Sequence, residues 1–196
     1  MADPGLFDTL FAQRAIRKFK PDAVPEETIE RLIEAAARAP SGGNRQPWAF
    51  VVVRDQTKKE RIAEWYREGW VAMYESDPSR PHNAVYRSAE YLAYHLAEAP
   101  VLIFPCISVG TGREPSFGTG SSIFPAAQNL MLAAAALGLG TRLTTIWQHK
   151  DAEIAALLRI PNNVEAMAMI PLGYPGGDEH LGGSKRNPVS EVTHYD

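Results

Sequence analysis

The sequence lacks the features that mark metalloproteins and disulfide-stabilised proteins. Among its 196 residues it has one cysteine, Cys106, so no intramolecular disulfide can form, as is typical of proteins from a reducing compartment. Its five histidines are scattered, and none stands at metal-ligand spacing from another histidine, the cysteine or a pair of carboxylates. We therefore expect no metal site, and we expect Cys106 to be a small core residue rather than a nucleophile.

Long apolar runs and a strong charge imbalance are also missing. The longest apolar candidate, residues 126–139, is shorter than the roughly 20 residues that span a membrane. The N-terminus lacks the basic and apolar regions of a signal peptide. The net charge is −3, which favours neither nucleic acid nor an anionic membrane as a partner. These absences predict a cytoplasmic protein whose residues 1–196 form one domain.

Motifs for protein-borne catalysis and for nucleotide binding are absent as well. The chain contains no GxSxG nucleophile motif, no GxGxxG fingerprint and no phosphate-binding P-loop. We predict no catalytic acid, base or nucleophile among the side chains. If the protein is an enzyme, a cofactor therefore carries the reaction.

One loop, residues 39–48, contains more special backbone residues and hydrogen-bonding side chains than a simple connection requires. It holds two prolines, two glycines and several hydrogen-bonding side chains, and it separates an amphipathic helix from an apolar strand. Ligand-binding residues favour such loops on rigid scaffolds. From composition alone, a plain connector and a ligand-lining loop both stay open.

Two short basic clusters lie far apart in the sequence. The first covers residues 14–19 and the second covers residues 184–189. Each could be a solvated basic turn. Each could also bind a phosphate, because arginine pairs with phosphate through two parallel hydrogen bonds and keeps its charge at any relevant pH.

Residues 57–75 are predicted to form a helix with a stripe of aromatic residues along one side. A proline-rich break separates this helix from a second one. This stripe either packs in the core or forms a lid over a flat ligand, at about residues 66–95. A further helix is expected to begin at Ser121 or Ser122, with Pro125 in its first turn, and to continue to Leu139. Because residues 126–139 carry no charge, this helix is either central or part of a subunit interface.

Four apolar stretches predict strands. They cover residues 50–53, 101–104 with an extension towards 109, 141–146, and 164–172. The uninterrupted apolar run of Phe50–Val53 predicts a strand inside the sheet, buried on both faces. Residues 110–120 are expected to form a flexible loop.

Taken in order, several of these pieces closely resemble the FMN-dependent nitroreductase family. They are residues 14–19, the loop at 40–48 with its strand, Gly138-Leu139-Gly140, Gly173-Tyr174-Pro175 and residues 185–188. The resemblance implies an α+β fold with a mainly antiparallel central sheet flanked by helices. It also implies an intertwined homodimer with FMN at the interface, residues 126–139 along the dimer seam, and a C-terminal arm at about 176–196.

The resemblance also implies the residues that bind FMN. Arg14, Arg17 and Arg186 would hold its phosphate and ribityl end, with Ala15 as a backbone contact, and Thr144 and Thr145 would lie near flavin N5. Pro40, Ser41 and Asn44 would line the flavin of the other subunit. At the first motif, Gln13 and Ala15 stand where the family often has arginine and serine.

The implied activity is reduction of nitroaromatic, quinone or similar electron-poor acceptors by NAD(P)H in alternating half-reactions. Two alternatives remain open. One is a reductive dehalogenase or flavin-cleaving enzyme of the same fold, because Thr144-Thr145 and the tail also resemble the iodotyrosine deiodinase branch. The other is a flavin-binding protein without turnover.

Overall fold

The computed structural model describes residues 4–109 and 116–196. This part of the chain contains six α-helices and five β-strands, joined by short 3₁₀- and π-helical turns. The helices are α1 (Leu6–Ala12), α2 (Glu26–Ala36), α3 (Gln56–Trp70), α4 (Ala84–His95), α5 (Phe117–Ala136) and α6 (Asp151–Leu158). The strands are β1 (Trp48–Val53), β2 (Val101–Ser108), β3 (Gly140–Thr141), β4 (Val164–Ala166) and β5 (Ile170–Gly173).

The strands form one antiparallel sheet in the order β1-β2-β5-β3, and β4 also pairs with β2. One edge of β2 pairs with β1. Its other edge pairs with β5 along Val101–Ile103 and with β4 along Cys106–Ser108. The expected α+β architecture, a mainly antiparallel sheet flanked by helices, is confirmed.

Alternation along β2 divides the interior into two cores. Val101, Ile103 and Ile107 point into a core that includes α2 and α5. Leu102, Phe104 and Cys106 point into a second core formed with α3 and α4. Because successive strand residues face opposite sides, an uninterrupted apolar run allows β2 to be buried between two helical layers.

The prediction that Phe50–Val53 lies inside the sheet is wrong, because β1 stands at the end of the described sheet. Trp48 and Phe50 pack on one core, whereas Val51 and Val53 pack on the other. The apolar run therefore reports that both faces of the strand are covered. It carries no information about whether both edges are paired.

Two other predicted strands are shorter than expected. The run at 141–146 is reduced to β3 and a bridge between Thr144 and Met169, and a 3₁₀ turn follows from Ile146. The run at 164–172 is split into β4 and β5 by a bulge, in which residues 167–169 stand opposite residues 104–105 of β2. Pro105 has no amide hydrogen, so the hydrogen-bond ladder weakens at this position.

The predicted start of the fifth helix is also wrong. Helix α5 begins at Phe117 and is capped by Ser116, whose hydroxyl accepts a hydrogen bond from the Thr119 amide at 3.3 Å. The Thr119 hydroxyl in turn accepts from the Ser116 amide at 2.6 Å, which completes a capping box. Pro125 consequently lies inside the helix. Of the predicted loop at 110–120, residues 110–115 lie outside the described residues.

Helix α5 packs in the first core with one face and carries exposed rings near its N-terminus. Ala126, Ala127 and Leu130 are fully buried, so the helix is central within the subunit. In contrast, Phe117 and Phe124 are exposed. Short helix α1, which contacts α5, also exposes apolar side chains: Leu6, Phe7, Leu10 and Phe11.

Candidate functional site

The first basic motif is fixed against the strand residues that follow α5. The Ile16 amide donates to the Thr141 carbonyl at 2.9 Å, and Ala15 forms a parallel bridge with Thr141. Ile16 is fully buried and packs on Gly140, where an added Cβ would lie 2.6 Å from the Ile16 side chain. Only glycine allows this approach, so Gly140 sets the position of the motif.

The beginning of the C-terminal segment crosses the same motif. The Gly182 carbonyl accepts a hydrogen bond from the Arg14 guanidinium at 3.2 Å. The Lys18 ammonium pairs with Asp178 at 2.7 Å, and the Gly176 amide donates to the Lys18 carbonyl at 3.0 Å. These contacts hold residues 176–182 beside the first basic motif.

A buried hydrogen-bonded chain joins helix α3 to the segment after β3. Arg142 Nη1 donates to the Tyr66 hydroxyl at 2.9 Å, and the Tyr66 hydroxyl lies 3.2 Å from Thr144 Oγ1. A guanidinium can only donate, so the Tyr66 oxygen accepts from Arg142. Among the described residues, Thr144 Oγ1 is the acceptor within reach of the buried Tyr66 hydroxyl, so we assign the Tyr66 hydrogen to Thr144. The Thr144 hydroxyl therefore keeps a hydrogen to donate to a third group.

Arg17 lies next to these hydrogen bonds, and its positive charge is poorly neutralised. Its Nε atom is buried and has no hydrogen-bond partner. Burial and the neighbouring Arg142 guanidinium lower the pKa of Arg17 from 12.5 to about 10, against the opposing effect of Glu179. Arginine keeps its proton near neutral pH, so the lowered pKa indicates an unneutralised positive charge that favours binding of an anion.

A cavity of about 190 Å³ opens beside these two arginines. Arg17 and Arg142 line one part of it, and residues of α3, α4 and the π-helical turn between them line the rest: Trp70, Tyr74, Val85, Tyr86 and Ala89. We call it the arginine–aromatic cavity. The predicted lid segment thus contributes both core residues and cavity walls.

The loop that contains Pro40, Ser41 and Asn44 is exposed or half-buried and is organised by its own hydrogen bonds. Ser41 Oγ accepts from the Gln46 amide at 3.0 Å, and Asn44 Oδ1 accepts from Gln46 Nε2 at 3.2 Å. Asn44 and Gln46 have positive φ angles of 54° and 50°. These hydrogen bonds preform the loop, and none of them joins it to the Arg17 cluster.

The other predicted site residues differ in their environments. Thr144 is buried, whereas its neighbour Thr145 is exposed. Arg186 is exposed, and its guanidinium donates to the carbonyl of Lys185 at 3.0 Å. The structure therefore brings Arg14, Ala15 and Arg17 together with the strand residues around Thr144. The loop at 40–44 and Arg186 form separate surfaces within the subunit.

Sequence reasoning missed Tyr66 and Arg142. Tyr66 belongs to an aromatic stripe, which indicates core packing and gives no sign that the hydroxyl has a polar role. Arg142 did carry a signal, because it is the one charged residue in the predicted strand 141–146. A half-buried charge in such a strand needs a partner.

Cys106 is a core residue, as expected. It is fully buried, and burial raises the pKa of its thiol to about 12. Over residues 4–109 and 116–196, no cluster of three or more histidine, cysteine, aspartate or glutamate residues could hold a metal ion. No helix in the same ranges is long and apolar enough to cross a membrane.

Comparison with known proteins places this fold in a flavoprotein family. Residues 10–174 match the family model described as the Nitroreductase family, and the chain belongs to that family. The nitroreductase-like fold expected from the sequence is thereby confirmed.

The chain is similar to several proteins with different named activities. It is 31% identical, over 87% of this chain and 77% of the relative, to a "Putative NADH dehydrogenase/NAD(P)H nitroreductase" of Methanothermobacter thermautotrophicus. It is 29% identical to the 5,6-dimethylbenzimidazole synthase of Rhodospirillum rubrum, over 95% of this chain and 94% of the relative. A crystal structure of oxidised iodotyrosine deiodinase bound to FMN and 3-iodo-L-tyrosine is 26% identical, has a TM-score of 0.80, and covers 98% and 99% of the two chains.

Proposed function

We propose that this protein is an FMN-dependent oxidoreductase that uses NAD(P)H to reduce electron-poor aromatic acceptors such as nitro compounds or quinones. The proposal rests chiefly on family membership over residues 10–174. Bound FMN would supply hydride transfer between the nicotinamide and the acceptor. For a nitro acceptor, the net change converts NAD(P)H, a proton and the nitro group into NAD(P)⁺, a nitroso group and water.

Two polar groups in the structure support a flavin at this site. Arg17 has a buried Nε without a partner, which suits an anionic ligand. The Thr144 hydroxyl accepts from Tyr66 and keeps its own hydrogen, which suits an acceptor atom such as flavin N5. The residues present therefore fit the cofactor.

The predicted binding residues take the following roles in this proposal. Arg14, Arg17 and Arg186 bind the phosphate and ribityl end, and Ala15 contributes backbone. Thr144 and Thr145 contact the region of flavin N5. Pro40, Ser41 and Asn44 line the flavin of the partner subunit, through the loop that its internal hydrogen bonds preform.

We propose a homodimer, because the family resemblance implies one and because aromatic side chains are exposed on two adjacent helices. The α1 side chains of Phe7 and Phe11 are 69% and 75% exposed, and Phe117 at the start of α5 is 95% exposed. Such exposed rings on adjacent helices favour burial in an interface. The C-terminal arm at 176–196, which is mostly exposed beyond residue 184, would be ordered further by the partner.

Reductive dehalogenation is a second candidate. The observation that favours it is the TM-score of 0.80 with the iodotyrosine deiodinase that binds FMN and 3-iodo-L-tyrosine. A nitroreductase and a dehalogenase would share the flavin contacts and would differ in how the reduced protein responds to each acceptor.

The test begins with an FMN titration of purified protein, in which one FMN should bind per chain. The loaded protein is then reduced anaerobically with NADH or with NADPH, and a nitroaromatic, a quinone or 3-iodo-L-tyrosine is added. Rapid reoxidation by the nitroaromatic or quinone supports the proposed function, whereas iodide release from 3-iodo-L-tyrosine supports the second candidate. Failure to bind FMN would refute both. FMN binding without NAD(P)H oxidation by any acceptor would indicate a flavin-binding protein without turnover.

A further inference from the structure

Two arginines line the arginine–aromatic cavity, and the described residues balance their charge only in part. Within residues 4–109 and 116–196, neither Arg17 nor Arg142 takes part in an ion pair. Arg142 donates to Tyr66, which is a neutral phenol. The carboxylate that acts on Arg17, Glu179, accepts a hydrogen bond from the Ser88 hydroxyl at 3.2 Å. With the flavin phosphate on Arg17, as proposed above, an anion in the cavity would give Arg142 a counter-charge.

Three of the five remaining wall residues are aromatic, and the other two, Val85 and Ala89, are aliphatic. Trp70 and Tyr74 have ring centroids 4.6 Å apart, and Tyr74 meets Tyr86 edge-on at 5.8 Å. These rings offer a face and an edge to a flat apolar group. An inorganic or flavin phosphate has no apolar surface to place against these rings. The walls therefore favour an anion that carries an aromatic ring.

The volume of the cavity limits the size of that ring system. An apolar cavity of about 150 Å³ is large enough to bind benzene. At about 190 Å³, this cavity has room for one ring and a small charged substituent. A fused two- or three-ring acceptor would extend beyond these walls.

We propose that the arginine–aromatic cavity binds a single-ring aromatic carboxylate as the electron acceptor, and that Arg142 determines this specificity. The proposal rests on the proposed oxidoreductase function. Arg142 offers the carboxylate a planar guanidinium that can make two parallel hydrogen bonds, while the aromatic walls pack on the ring. Tyr66 holds the guanidinium in place through its hydrogen bond. Arg17 adds charge from the side shared with the flavin.

Binding is tested first, because it does not depend on turnover. Benzoate and benzamide have the same shape and differ in charge, so isothermal titration calorimetry of FMN-saturated protein measures what the arginines contribute. We expect benzoate to bind at least about 10-fold more tightly than benzamide, since a hydrogen bond to a charged group is worth roughly 1.5–3 kcal/mol. Equal affinities would overturn the proposal.

The variant Arg142→Gln should remove that preference and leave FMN affinity unchanged. The control Arg38→Gln loses the same charge at an exposed position just after α2 and should keep the preference. A preference for benzoate that survives in Arg142→Gln would refute the role of Arg142. Weakened FMN binding in Arg142→Gln with unchanged benzoate binding would assign the cavity to the flavin instead.

A second pair of variants tests the cavity without disturbing the buried hydrogen bonds. Val85 lines the cavity and is 59% exposed. The larger side chain of Val85→Trp can therefore occupy the cavity from the side that is open to solvent. Met73 is 58% exposed on the neighbouring turn and does not line the cavity, so Met73→Trp is the matched control. Benzoate affinity should fall in the first variant and persist in the second. Equal effects would overturn the proposed location.

Steady-state kinetics then connect binding to the reaction. For 4-nitrobenzoate, Arg142→Gln should lower kcat/KM by about 10- to 100-fold, mainly through KM, whereas 4-nitrobenzamide should change by less than about 3-fold. A protein that binds benzoate through Arg142 but reduces neither compound would refute the proposed function and leave the carboxylate site standing. Equal losses for both acceptors would refute the site.

Discussion

The hydroxyl of Tyr66 is the centre of the buried network, and its removal gives a sharp test of the structure. The side chain is fully buried, and its oxygen contacts both Arg142 and Thr144. The change Tyr66→Phe removes one oxygen and keeps the ring, so cavity formation adds little to the cost. The loss should come from the two hydrogen bonds.

The size of the loss in the free energy of unfolding depends on whether Thr144 and Arg142 can find other hydrogen-bond partners once the Tyr66 hydroxyl is gone. Thr144 is 4% exposed and would lose its partner without access to bulk water, which costs roughly 1–3 kcal/mol. Arg142 is only half-buried, so water can replace part of its lost bond. Together these effects predict a loss of about 2–3 kcal/mol in the free energy of unfolding. For a chain of this size, each kcal/mol corresponds to roughly 2–4 °C in Tm.

The assay is urea or thermal unfolding of the FMN-free protein at one fixed concentration, because Tm of the proposed homodimer would depend on concentration. Tyr94→Phe is the matched control, because its exposed hydroxyl donates to Glu75 at 2.8 Å and should contribute less than about 1 kcal/mol. In a double-mutant cycle, Tyr66→Phe and Thr144→Val should be less than additive by about 1 kcal/mol. The network would be refuted if Tyr66→Phe destabilised the protein no more than Tyr94→Phe.

Three further predictions concern packing, flavin binding and thiol reactivity. Gly140→Ala should destabilise the protein by about 1–3 kcal/mol in urea unfolding, because the new Cβ would lie 2.6 Å from Ile16; Gly118→Ala, whose nearest neighbour would be 3.7 Å away, should not. Arg186→Ala should weaken FMN binding by about 1.5–3 kcal/mol in a fluorescence titration if the arginine contacts the phosphate, and unchanged affinity would exclude it from the site. The raised pKa of Cys106, about 12, keeps the folded thiol protonated at pH 8, so a disulfide reagent should label it only on unfolding. Because the unfolded thiol ionises at lower pH than the folded one, stability should also decline as pH rises above about 8.5, and rapid labelling of the native protein would contradict this burial.

The sequence predicts the parts of the fold that periodicity controls. Strand β2 is evident from the apolar run after Pro100, because both of its faces are covered and no polar residue interrupts it. Strand β1 has a similar apolar run but lies at the end of the described sheet. The polarity of side chains does not depend on whether the backbone of a strand is paired at one edge or at both, so the sequence does not distinguish the two positions. The early start of α5 was missed because Thr119 replaces the usual Glu or Gln of a capping box and glycines surround it.

The candidate site was predictable only in part, because some of its residues meet through contacts that are distant in sequence. Arg14 and Arg17 attract notice because they stand in a short basic cluster, and the family resemblance then suggests a role. Arg142 acts through residues that are distant in sequence, since Tyr66 is 76 positions away and the cavity walls belong to α3 and α4. The charge of Arg142 stands out in its predicted strand, but only tertiary packing shows which groups it meets.

The direction of the hydrogen bonds links the proposed acceptor site to the proposed flavin site. Arg142 can only donate, so it sets the direction of the bond from Tyr66 to Thr144 and leaves the Thr144 hydrogen for a third group. A carboxylate on Arg142 would use other N–H groups of the same guanidinium, which carries five. Acceptor binding can therefore neutralise the cation while the hydrogen bond to Tyr66 stays in place. In this arrangement, one arginine selects the acceptor and orients the hydroxyl at the flavin. Arg142→Gln removes the charge and keeps a side-chain N–H that can donate to Tyr66, so it should affect mainly the selection, whereas Tyr66→Phe should spare the charge and affect mainly the orientation.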